Sequence, residues 1–174
     1  MSAPPAARTE FARLAASGAA GGAAALAGLL GGKPRAGPLF APGSAELAAY
    51  ETGAFFAVDG AALGAIAVLF DAGAGERLLR PLGPAATADP RSAFSEVANI
   101  VASQAVCAIA EGIRGRVALS IPRLALAGAG AEIARILGSG GAGLASVLSA
   151  SNGARALLVL LPGAAPPVCD TVGR

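Results

Sequence analysis

The feature that most constrains this chain is that its pattern of elements occurs twice. The order helix, extended segment, short helix, hairpin runs once from Arg8 to about Phe70 and again from about Arg91 to Leu161. Ala25-Leu26-Ala27, followed by Leu30, Gly32 and Lys33, lines up with Ala108-Ile109-Ala110, followed by Ile113, Gly115 and Arg116. Asp59-Gly60 and Asn152-Gly153 each sit between apolar runs, as the turn of a β-hairpin does. The halves, about residues 8–83 and 90–162, are too small to be comfortable alone. A shared antiparallel sheet would bury both apolar faces. The expectation is therefore one α+β domain over 1–174, with a pseudo-two-fold axis between the halves and two long helices on one face of the sheet.

Punctuation sets the elements. Pro34 and Pro38 bar helix, so Arg35–Ala41 reads as extended. Ser44 is placed to cap a short helix through Tyr50. Ala54–Val58 and Leu63–Phe70 read as strands, and Asp71–Leu82 as a short helix stopped by Gly83-Pro84. Pro84–Pro90 reads as a linker before a long amphipathic helix over Arg91–Arg114. Val117–Ile121 reads as a strand, Gly130–Leu137 as a short helix, and Leu144–Ala150 with Ala154–Leu161 as the second hairpin. The ends, 1–7 and 163–174, are rich in Pro and Ala and are expected to be flexible.

Composition removes several chemistries. The chain has no His, which excludes Ser-His-Asp triads, Cys-His dyads and imidazole zinc sites. Its basic residues are Lys33 and dispersed arginines, with a formal net charge of +2. No basic stripe suggests nucleic acid, although Arg114, Arg116 and Arg123 cluster near one strand. Leu14–Gly32 is long enough to span a bilayer, but it is mostly Ala and Gly, which bury little area each. It reads better as a helix packed closely through small side chains. The glycine clusters 18–22 and 138–143 lack the Lys of a phosphate loop. Cys107 and Cys169 show no framework spacing, which suits a reducing, cytoplasmic setting. Cys107 is expected in the core and Cys169 in an exposed tail.

One stretch asks for a function. Ser92, Glu96 and Asn99 stand at i, i+4 and i+7 on the second long helix and so share one face. Pro122 follows Asn99 after twenty-two intervening residues. Asn99 is one of two asparagines, and in mid-helix it costs roughly 0.6 kcal/mol relative to Ala. The bland alternative is a solvated helix face, with Ser92 an N-cap or first-turn residue.

The pattern Ser92, Glu96, Asn99, Pro122 resembles the signature of the CheC/CheX/FliY family of CheY-phosphate phosphatases. The segment Ser92–Ile100 and the tandem architecture also resemble CheC. The resemblance implies hydrolysis of the aspartyl phosphate on a CheY-type response regulator. Asn99 would position the attacking water and Glu96 would dock the regulator, with Ser92 and Pro122 in support. It implies no cofactor bound by this chain, since Mg²⁺ is expected on the regulator. A CheD-type deamidase is a further possible partner, while nucleic acid and membrane are not. Pairing Ala108 with Ala25 puts Thr9, Arg13 and Ala16 at the positions of Ser92, Glu96 and Asn99. Leu39 falls at the Pro122 position, with Pro38 one residue off. The first half thus carries a degenerate second site, where CheC proteins typically have two active motifs. The rival reading is a non-catalytic interaction module resembling the middle domain of FliM.

Overall fold

The structure, a computed structural model, describes residues 5–60, 64–113 and 115–163. In chain order the elements are α1 (Pro5–Leu30), β1 (Pro34–Ala36), α2 (Ser44–Leu47), β2 (Tyr50–Gly60) and β3 (Ala65–Asp71). A π-helical turn (Gly75–Leu79) leads through α3 (Arg80–Leu82) and α4 (Pro84–Ala88) into α5 (Pro90–Ile113). The second half continues with β4 (Val117–Leu119), β5 (Arg123–Ala125), α6 (Ala129–Gly138), β6 (Leu144–Ala150) and β7 (Arg155–Leu161). Cys169, Arg114 and the tail from 164 onward lie outside the described residues.

The strands form one antiparallel sheet in the order β1-β6-β7-β3-β2-β4, with β5 also on β2. The first strand of each half thus pairs with the hairpin of the other half. β1 adds to β6, while β4 and β5 add to β2. The two hairpins meet at β3 and β7, whose register is centred on Ala67 opposite Val159. That exchange of strands explains why neither half buries its own apolar face.

Period-two alternation splits the core. Ile66, Val68 and Phe70 point to the face carrying α1 and α5. Ala65, Ala67 and Leu69 point to the other face, with Leu47 of α2 and Ala129 and Ile133 of α6. The long helices lie on one face, as expected, and a smaller layer of short helices covers the reverse.

α1 and α5 run antiparallel, centred where Gly21 meets Gln104. A Cβ at Gly21 would lie 2.7 Å from the Gln104 carbonyl oxygen and 2.9 Å from the Ala108 Cβ. A Cβ at Gly18 would meet Ile109 as closely, at 2.8 Å, and one at Gly22 would face Leu148 of β6 at 3.0 Å and Val101 at 3.4 Å. Both helices are long and apolar enough to cross a membrane. In this fold their buried faces are taken up by each other and by the sheet.

Several local expectations differ from the structure. α1 starts at Pro5 and not at Arg8, Pro being well suited to a first helical turn. Ser44 does not cap α2. Gly43 is the cap residue, and its N–H donates to the Glu46 carboxylate at 2.8 Å. The supposed linker holds α4, and the helix expected over Asp71–Leu82 is present in its later part only, as the π-helical segment and α3, after a turn. There Arg77 pairs with Asp71. Cys107 is exposed and not in the core.

Candidate functional site

Asp89 fixes the start of α5. Its carboxylate accepts from the Ser92 N–H at 3.1 Å, which is an N-cap contact, and Pro90 takes the first helical position. Ser92 is therefore a first-turn residue and not the cap. Phe94 then anchors the helix, its ring 5.0 Å from that of Phe70 on the central strand β3. Phe94, Val97, Ala98, Val101, Ala102, Ala105 and Ile109 are buried at helical spacing. That fixes which face turns outward.

The outward face holds the polar stripe. Ser92 and Glu96 are exposed, and Asn99 is half-buried. Among the described residues no hydrogen bond or ion pair engages the Glu96 carboxylate or the Asn99 carboxamide. Each keeps its full donor or acceptor capacity for another molecule. Ser103 and Cys107 continue the same stripe toward the C-terminus of α5, one half-buried and one exposed.

Two shallow grooves flank Glu96. One, of about 370 Å³, is lined by Asp89, Arg91, Ser92, Ser95, Glu96, Pro122 and Leu124. The other, of about 410 Å³, is more apolar and includes Leu29, Leu82, Ala86 and Ile100 beside Ser92 and Glu96. Asp89, Ser92 and Glu96 line both. Ser92, Glu96 and Pro122 are thus brought to one groove although Pro122 is distant in sequence. Asn99 lies one turn along the helix and lines neither groove.

Pro122 reaches the groove through an irregularity at the sheet edge. β4 pairs with Val58–Gly60 and β5 with Gly53–Phe55, so pairing is interrupted opposite Phe56 and Ala57. The Ala57 N–H donates to the Ser120 Oγ at 2.9 Å, and the Ser120 N–H donates to the Ala57 carbonyl at 3.0 Å. Sequence reading missed β5 because Pro122 stops a strand. In the structure the strand resumes one residue later. No group of three or more acidic or thiol side chains suited to a metal occurs among the described residues.

No protein-family model matches the sequence, and no curated protein matches it significantly. Solved structures do match. FliY from Thermotoga maritima aligns with a TM-score of 0.68 at 10% identity, covering 93% of this chain and 92% of that one. CheX in the CheX-CheY-BeF3-Mg complex from Borrelia burgdorferi gives 0.59 at 14% identity, over 84% and 95%. The FliM middle domain from H. pylori gives 0.55 at 4% identity, over 92% and 93%.

The chain has the CheC/CheX/FliY fold.

Within that fold the α1 face is the pseudo-symmetric counterpart of the α5 face. Thr9, Arg13 and Ala16 are all exposed there. Arg13 is engaged internally. Its guanidinium donates to Glu10 at 2.6 Å and to the Gly112 carbonyl at 3.2 Å, closing the C-terminal turn of α5. The hydrogen bond to Arg13 lowers the Glu10 pKa, and the reciprocal bond raises that of Arg13. Where α5 offers a free carboxylate and a carboxamide, α1 offers a cation already paired and a methyl group.

Proposed function

We propose that this protein is a phosphatase acting on the aspartyl phosphate of a CheY-type response regulator in chemotaxis or two-component signalling. The observation that carries the reading is the pair Glu96 and Asn99, on one face of α5 and without internal partners. The fold it shares with CheX and FliY supports the same reading.

The chemistry asks little of the helper protein. Water attacks phosphorus, the acyl P–O bond breaks, and inorganic phosphate leaves the regulator's aspartate as a carboxylate. The regulator's own Mg²⁺ would offset charge on the phosphoryl oxygens, so this chain needs no cofactor. The Asn99 carboxamide accepts from the water and donates to a neighbouring oxygen, holding the attack in line. Glu96 pairs with a lysine of the regulator and sets the register of docking. Ser92, in the first turn, and Pro122, across the groove, hold that end of the site in shape.

The same reading takes the chain as one cytoplasmic domain with a single competent site, Thr9, Arg13 and Ala16 being the degenerate counterpart. A second reading draws support from that degenerate face and from the likeness to the FliM middle domain. In it the chain is a non-catalytic module that binds a regulator or a CheD-type deamidase.

Decay of phosphate from CheY-type regulators, with and without this protein, separates the two. Faster decay at substoichiometric protein supports the phosphatase. Stable binding with unchanged decay would leave the interaction module.

A further inference from the structure

Among the described residues three large apolar side chains are exposed: Leu82, Leu126 and Ile121, the last at 87%. Leu82 lines one of the grooves beside Glu96, and Ile121 precedes Pro122, which lines the other. A single exposed apolar residue is ordinary. Here the position of Ile121 is set by a local hydrogen-bonding arrangement. At the break between β4 and β5 the Ser120 hydroxyl accepts from the Ala57 N–H and donates to the Ile121 carbonyl at 3.1 Å. Ile121 falls in the gap between the two paired segments, and its side chain is left in water. Arg91, a cation without an ion-pair partner among the described residues, lines the same groove.

We propose that Ile121 is a specificity-determining contact for the regulator, an inference that rests on the function proposed above. The surface calls for a partner with an apolar patch beside the basic residue that meets Glu96 and an acidic group within reach of Arg91. Ile121 contributes to docking and not to water attack, since an apolar side chain has no group to orient a water molecule.

The test measures decay of CheY-type regulators phosphorylated with acetyl phosphate, over a range of regulator concentrations. It compares wild type, Ile121→Ser and Ile121→Leu. Ile121→Ser should raise KM roughly tenfold with kcat unchanged, the loss expected when a buried apolar contact is removed. Ile121→Leu should restore most of it. Thermal stability should be the same for all three, because the side chain is already in water. Wild-type activity with an unchanged KM for Ile121→Ser would overturn this inference alone. Absence of wild-type acceleration would overturn the proposed function and this inference with it. Sedimentation gives a third outcome: a dimer that Ile121→Ser dissociates would assign the residue to a second copy of this chain and refute the proposal.

Discussion

The contact between α1 and α5 makes a prediction whose sign can be worked out. Gly21→Ala places a methyl group 2.7 Å from the Gln104 carbonyl oxygen, which belongs to the α5 backbone and cannot rotate away. Reaching ordinary contact near 3.4 Å requires the helices to part by about 0.7 Å. A gap of that size forfeits roughly a quarter to a half of each dispersion contact it opens, and the total falls in the range of about 1–3 kcal/mol seen for overpacked cores. Replacing Gly by Ala in a helix returns about 0.8–1.0 kcal/mol. The net is a destabilisation of up to about 2 kcal/mol, and about 1 kcal/mol at the middle of the range lowers Tm by roughly 2–4 °C in a chain of this length. Gly28→Ala is the control. It lies in the same helix with no atom within 4 Å of the added carbon, so only the helix-propensity gain remains and Tm should rise. Thermal and urea unfolding of both variants read the difference. If Gly21→Ala is as stable as wild type or more so, the close-packing argument fails.

Other consequences follow from single contacts. Asp89→Ala removes the acceptor for the Ser92 N–H and should cost about 1 kcal/mol in urea unfolding, whereas an unchanged midpoint would deny Asp89 its capping role. Hydrogen bonding to Arg135, then its charge, lowers the Glu132 pKa against an opposing desolvation. A lowered folded pKa gives stability that is present above the ordinary carboxylate range and is lost as pH falls through the folded value. The difference in unfolding midpoint between wild type and Glu132→Gln should therefore shrink from pH 7 to pH 3, and a constant difference would contradict the pairing. Glu96→Lys should weaken regulator binding in a fluorescence titration while leaving Tm within about 1 °C, because the exposed carboxylate has no partner within the fold.

Periodic apolar patterning made the two long helices, both hairpins and their shared sheet legible in the sequence. The small-residue face of α1 was legible too, since a Gly- and Ala-rich helix buries little area unless it approaches a neighbour closely. The details that escaped depend on contacts between distant residues. β5 escaped because Ser120 replaces a strand partner for Ala57 across the break before Pro122. The cap of α2 escaped because the Glu46 carboxylate reaches back to the Gly43 N–H, while residue type alone nominates Ser44. Cys107 was assigned to the core by residue type. The helical spacing that groups Ser92, Glu96 and Asn99 would have placed it on their outward face. Of the four signature positions, Ser92, Glu96 and Pro122 share a groove and Asn99 lies one turn beyond it. The grooves themselves and the exposure of Ile121 were not legible, since one groove forms where α5 meets the interrupted sheet edge and the other where α5 meets the ends of α1, α3 and α4.

The most direct measurement is the first-order decay constant of the phosphorylated regulator at saturating Asn99→Ala protein. The Asn99 carboxamide makes no hydrogen bond among the described residues, so the variant should fold and bind as wild type does. The account predicts that decay then falls to the regulator's own unassisted rate. Decay as fast as with wild type, in a folded variant that still binds, would contradict the role given to the Asn99 carboxamide.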